Sequence, residues 1–164
     1  MHDDDSIVRF LLTSSIGDLV YNSVIHLIQK VIGINNFMYK LAVIGKPIDH
    51  SLSPSVFQYF SKQFNINLTY DKIIAQNPND FNKIVYTFFH NNGLALNITS
   101  PYKHEAFLST QIHSSRASFC KTSNFLYLNN DKQIVADTTD GIGILTDIEN
   151  NNKQTIKNKH ILII

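Results

Sequence analysis

Apolar residues recur along this chain in two rhythms, and the rhythm changes near residue 38. Ahead of it, Ile16, Val20, Val24, Leu27 and Val31 fall at helical spacing, with Ser15 placed to cap the start and Gly33 to end it. That stretch reads either as a real helix or as material ahead of a mis-assigned start, because Met38 opens a fresh strand-like run, Met-Tyr-Lys-Leu-Ala-Val-Ile-Gly. From there on, short apolar segments alternate with helical ones. Leu41 to Ile44, ended by Gly45, predicts a strand, and Pro54 then opens a helix with Val56, Phe60 and Phe64 on one face. Leu68 to Ala75 predicts a second strand. A helix bearing Phe81, Ile84, Val85 and Phe88 follows Pro78, and Leu94 to Ile98 predicts a third strand.

Connections of a dozen or more residues between short apolar strands favour parallel pairing under covering helices. The expected fold class is therefore α/β, a mostly parallel sheet flanked by helices. Phe125 to Leu128 and Ile134 to Ala136, separated by Asn129-Asn130-Asp131-Lys132, predict an antiparallel hairpin at one edge. Gly141 to Glu149 reads as a helix, Asn150 to Lys153 as a polar linker, and Lys159 to Ile164 as the start of another buried strand. The expected organisation is an extension over 1–37, one domain over 38–150, and over 151–164 a linker with the first strand of a further domain. No internal repeat is visible.

Composition narrows the partners. A chain of 164 residues with 43% hydrophobic content accommodates one compact domain and a stub. The formal net charge is +1 and only 16% of residues are charged, so no electrostatic footprint for nucleic acid or an anionic membrane exists. Small molecules or proteins are the expected partners. Cys120 is the only cysteine, which excludes an internal disulfide framework and suits a reducing compartment. The acidic His2-Asp3-Asp4-Asp5 opening lacks the basic head of a secretory signal, and no apolar run is long enough to span a bilayer. A cytoplasmic address follows as the expectation, and Asn67-Leu68-Thr69 and Asn97-Ile98-Thr99 are read as chance matches to the glycosylation pattern.

Polar residue types with chemical potential gather in particular segments. In Ser51-Leu52-Ser53-Pro54, an extended backbone would turn both hydroxyls to one side, beside the free N–H groups of the helix that Pro54 opens. That suits a carboxylate or phosphate. The bland alternative makes Ser53 an N-cap and Ser51 a loop residue. Asn97-Ile98-Thr99-Ser100-Pro101-Tyr102-Lys103 follows an apolar strand, so Asn97 and Thr99 lie at the carboxyl end where open α/β sheets collect ligand groups. Lys103 would stand in the first turn of a helix begun at Pro101, against the helix dipole, as a functional cation or a solvated one. After the hairpin, Thr139 or Asp140 could cap a helix. Gly141 and Gly143 lack the third glycine of a dinucleotide turn. Asp49, His50 and Ser51 are too close in sequence to align as a catalytic triad, and the histidines show no metal-ligand spacing.

Taken together these segments resemble the shikimate dehydrogenase family. Val43 to Pro54 is similar to its opening signature, a strand followed by Gly-Asn-Pro-Ile-x-His-Ser-x-Ser-Pro. Asn97 to Lys103 is similar to Asn-Val-Thr-x-Pro-x-Lys, Thr138 to Gly143 to Asn-Thr-Asp-Gly-x-Gly, and Lys121 to Phe125 stands in the place of Gly-Ala-Val-Asn-Thr. Lys46, Ala95, Lys121, Phe125 and Thr138 depart from the family residues. The resemblance implies the domain that binds shikimate, from an oxidoreductase that reduces 3-dehydroshikimate with NADPH on the route to aromatic amino acids. By the same resemblance Ser51 and Ser53 would hold the substrate carboxylate, Thr99, Asn124 and Asp140 would bind ring hydroxyls, and Asn97 would support the pocket. Lys103 would transfer the proton, with Asp140 across the pocket from it. NADP would be bound by a further domain whose first strand begins near Ile161, and this chain would supply no cofactor-binding residue and no metal site. Alternatives are a non-catalytic module for shikimate- or quinate-like acids and a non-functional gene fragment.

Overall fold

The structure, a computed structural model, describes residues 38–162. The helical pattern from Ser15 to Val31 lies outside them, as do Ile163 and Ile164. The chain divides between Thr138 and Thr139 into two compact units. All six strands belong to the larger one.

That unit opens with β1 (Tyr39–Gly45), α1 (Ser53–Phe64), β2 (Leu68–Ile74), α2 (Pro78–His90) and β3 (Gly93–Ile98). Each helix carries the chain back to the starting side, so β1 pairs in parallel with both β2 and β3. Then come α3 (Lys103–Leu108), β4 (Ile112–His113), α4 (Ser115–Cys120), β5 (Phe125–Leu128) and β6 (Ile134–Asp137). The sheet order is β2-β1-β3-β5-β6-β4, with β5 antiparallel to β3 and β6 antiparallel to β5. The hairpin expected from the sequence is present, and β4 lies beyond it, parallel to β6. The sequence did not reveal β4 or α4. A strand of two residues shows no alternation, and α4 buries only Ala117.

One face of the sheet carries the main core. Ala42 and Ile44 of β1 and Leu96 and Ile98 of β3 pack with Phe81, Val85 and Phe88 of α2 and Ala106 of α3. Strand alternation turns Leu41, Val43, Tyr70 and Asn97 to the opposite face, where α1 lies: its Phe57 ring stacks on Tyr70 at 4.3 Å between centroids. The two faces thus separate roles, apolar packing on one and a mixture of apolar and polar groups on the other.

The smaller unit contains α5 (Asp140–Thr146), continued by a wider turn at Asp147–Asn151. The strand expected over Lys159 to Ile164 is not formed by its described residues. Lys159 to Leu162 are irregular, and Ile161 and Leu162 are exposed. Apolar composition alone makes no strand, which needs a neighbour for its N–H and C=O groups.

Candidate functional site

β1, β3 and β6 end on the same side of the sheet, and the antiparallel β5 begins there, since Asn97 is opposite Phe125 and Phe125 opposite Asp137. This topology brings Asn97, Thr99 and Asn124 to one sheet end. The Asn124 carbonyl accepts the Ile98 N–H at 2.8 Å, which fixes the start of β5 against the end of β3.

The loops leaving β1 and β3 are stitched together beyond the sheet. Thr99 N–H donates to the Ile44 carbonyl at 3.0 Å, and Lys46 N–H donates to the Ser100 carbonyl at 2.9 Å. Gly45 makes this approach possible. A Cβ there would stand 2.3 Å from Thr99 Cγ2 and 3.0 Å from the Ser100 carbonyl oxygen. Both loops contain a cis peptide, at Lys46-Pro47 and Ser100-Pro101.

Lys103 is the first residue of α3, two positions later than the start expected at Pro101. The chain turns once more first, with Tyr102 N–H donating to the Thr99 carbonyl at 3.1 Å. Tyr102 itself anchors that turn from below, its ring stacked on Phe81 at 5.1 Å and its hydroxyl donating to the Ala75 carbonyl at 2.8 Å. Ser123, fully buried, donates its N–H to the Lys103 carbonyl and its hydroxyl to the Asp137 carbonyl, each at 2.8 Å. The start of α3 is therefore pinned beside the β5 and β6 ends, and the Lys103 side chain is half-buried there. Tyr102 and Ser123 occupy unremarkable positions in the sequence, and burial alone distinguishes them.

Ser51 and Ser53 stand at the start of α1, but not on extended backbone. Leu52 between them is the N-cap with φ −88° and ψ −5°, so the alternation argument for a shared side does not apply. A different contact joins them: Ser51 Oγ accepts the Ser53 N–H at 3.3 Å. Ser51 therefore does the capping, and Ser53 is the first helical residue, with Pro54 behind it as expected. Because Ser51 accepts through its oxygen, its own hydrogen remains to donate outward.

The sequence also missed Tyr70. Its hydroxyl donates to Asn97 Oδ1 at 2.9 Å. Tyr70 and Asn97 flank β1, opposite Leu41 and Val43, two strand spacings across and two residues along, or about 12 Å apart. Only a long side chain crosses that gap. Burial raises the Tyr70 pKa well above its ordinary value, so the phenol stays protonated at neutral pH. A hydrogen bond thus reaches from β2 across β1 to the β3 end, and the hydroxyl, amide and helix N–H groups of these segments suit a small anion bearing hydroxyls.

Six of the expected site residues, Ser51, Ser53, Asn97, Thr99, Lys103 and Asn124, belong to the larger unit. Asp140 belongs to the smaller, where it opens α5 with Thr139 at the N-cap position, the threonine side chain making no capping bond. Gly141 and Gly143 lie within α5 rather than in a turn between a strand and a helix, so they form no cradle for a dinucleotide phosphate. Among the described residues no cluster of His, Cys, Asp or Glu is placed to hold a metal ion, and no helix is long and apolar enough to cross a membrane.

Comparison with known proteins agrees with this arrangement. Residues 43–126 match the family model of the shikimate dehydrogenase substrate binding domain. A shikimate dehydrogenase (NADP(+)) of Marinobacter nauticus is 37% identical over 123 residues, covering 75% of this chain and 44% of that protein. One from Vesicomyosocius okutanii is 39% identical over 127 residues, covering 77% and 47%. Among solved structures, an Ael1 enzyme from Pseudomonas putida superposes with a TM-score of 0.66 at 37% identity, over 71% of this chain and 42% of that one. The chain spans a little under half the length of the curated relatives it matches.

Proposed function

The chain belongs to the shikimate dehydrogenase substrate binding domain family, an oxidoreductase family, and on that premise we propose that it holds shikimate and 3-dehydroshikimate for their interconversion. The observation that carries this reading is the gathering of Asn97, Thr99 and Asn124 at one sheet end, where the β1 and β3 loops are bonded to each other. Ser51 and Ser53 at the α1 start would bind the carboxylate, with the helix N–H groups behind them. Asn97, Thr99 and Asn124 at the sheet end would bind ring hydroxyls. Asp140 is proposed as a further hydroxyl ligand from its Thr-Asp-Gly-x-Gly motif.

Reducing the ring ketone requires a hydride at carbon and a proton at oxygen. The hydride would come from NADPH, the cofactor implied by the names of the relatives. No residue described here is assigned to holding it. Lys103 would deliver the proton to the ketone oxygen and recover it in the reverse direction, from a backbone position that Ser123 fixes. The lone exposed thiol of Cys120 suits the cytoplasm as the working compartment.

Titration calorimetry of the full chain tests the carboxylate arm. Shikimate should bind saturably with a Kd of about 1 mM, corresponding to about −4 kcal/mol. Its methyl ester, which keeps every hydroxyl and loses the charge, should bind roughly tenfold or more weakly, as loss of a charge-assisted hydrogen bond of about 1.5–3 kcal/mol requires. Equal affinity for acid and ester would overturn the assignment of Ser51 and Ser53.

A further inference from the structure

We propose that Asn97 meets the ligand only as a hydrogen-bond donor, and that Tyr70 is the positioning residue that imposes this polarity from the edge strand. This point of the site would then select a ligand group that accepts. The proposal rests on the substrate reading above and deepens it with a residue that does not touch the ligand.

A carboxamide is ambiguous on its own. Its oxygen accepts and its nitrogen donates, and a half-turn about the Cβ–Cγ bond exchanges the two. Asn97 is half-buried near the end of β3, on the same sheet face as Tyr70. There the ambiguity is removed, because the Tyr70 hydroxyl donates to Oδ1 at 2.9 Å. A phenol has one hydrogen, and this bond uses it. Asn97 Nδ2 engages no other described residue. Among the described residues no buried side-chain nitrogen or oxygen lacks a partner, so Nδ2 is reachable from solvent. Its two hydrogens are available at the sheet end that also carries Thr99 and Asn124. A ring hydroxyl placed there accepts from Nδ2 and gives its own hydrogen elsewhere. A ketone oxygen accepts equally well, whereas an ammonium, which only donates, is refused.

The phenol is held in place independently of this bond. Phe57 stacks on the Tyr70 ring at 4.3 Å with planes 21° apart, β2 keeps Tyr70 in register with Leu41, and β3 sets Asn97 opposite Val43. Neither the stack nor the ladder involves the hydroxyl. Tyr70→Phe therefore releases the carboxamide and leaves ring packing and register as they are.

A double-mutant cycle separates this role from a merely structural one. The shikimate Kd is read from amide-shift titrations of the full chain as wild type, Tyr70→Phe, Asn97→Ala and the double variant. Tyr70→Phe should weaken binding about fivefold, as for the loss of one ordinary hydrogen bond. In the Asn97→Ala background the same change should alter Kd by less than about twofold, because Tyr70 then has nothing to orient. Losses that simply multiply would overturn the proposal, since Tyr70 would then act without Asn97. Should a Tyr70 variant not fold, Asn97→Asp decides. That near-isosteric change keeps an oxygen for Tyr70 and leaves the ligand only lone pairs, so it should bind shikimate no better than Asn97→Ala. Affinity retained in Asn97→Asp would show that Asn97 serves as an acceptor, and the proposal would fall. A wild-type chain that does not respond to shikimate at any residue would instead overturn the substrate reading.

Discussion

Gly45 shows how little space a single position can leave. Its missing side chain is what lets Thr99 and the Ser100 carbonyl close over the end of β1. Gly45→Ala must push the Thr99 loop outward, because a carbon 2.3 Å from Thr99 Cγ2 has no room to relax along a short side chain. We expect a stability loss of about 1–3 kcal/mol, the usual cost of overpacking, and a fall in shikimate affinity larger than that of Thr99→Ala. Denaturant melts and calorimetry of both variants would check this, and an unchanged affinity would show that the loop is not part of the site. Lys103 is tested differently, since its proposed role is in the chemical step. Joined to the nucleotide-binding half of a relative, Lys103→Met should lower kcat by roughly 10²- to 10⁴-fold with KM changed much less. A raised KM with kcat intact would make it a binding residue. At this scale the sequence drew attention to Ser51, Ser53, Asn97 and Lys103 because each residue type was unusual for its place. It was silent on Tyr70, because a tyrosine in an apolar strand looks like core, and only the register of β2 against β1 and β3 shows what its hydroxyl reaches.

Elements followed the sequence where the period was sustained. α2 begins at Pro78 as the pattern required, with Asn77 accepting the Asp80 N–H at 3.0 Å as its cap. The short pieces from Ile112 to Cys120 escaped because two to six residues carry too few turns or alternations to show a period. The hairpin was legible in both strands and in its polar loop, yet its turn carries a strain that the composition hid. Lys132 sits at φ 58°, the left-handed region, with its N–H donating to the Asn129 carbonyl at 3.0 Å. This is where a glycine usually follows the first turn of a hairpin loop. Lys132→Gly should therefore stabilise the chain by about 0.5–1 kcal/mol, raising the melting temperature by a few degrees, while Lys132→Ala should bring no gain. Equal melting temperatures for the two variants would mean the turn stores no strain.

Across the whole molecule the α/β class was readable from the alternation of strands and helices, whereas the division at Thr138 was not. The sequence placed one domain over 38–150, and nothing in the polarity of Thr138-Thr139-Asp140 marks the boundary between compact units that the structure has there. The sheet end that gathers Asn97, Thr99 and Asn124 is a product of strand order, which no local pattern encodes. It has a rival: an open groove of about 440 Å³ lined by Lys40, Asp71, Lys83 and Phe88, where β1 and β2 meet α2 on the core side of the sheet. Mapping amide chemical shifts of the full chain during a shikimate titration distinguishes the two directly. Ser51, Ser53, Asn97, Thr99 and Asn124 should move together along one saturable curve, with Lys40, Lys83 and Phe88 unmoved. Shifts confined to the groove residues, or none at the sheet end up to several times the expected Kd, would contradict it.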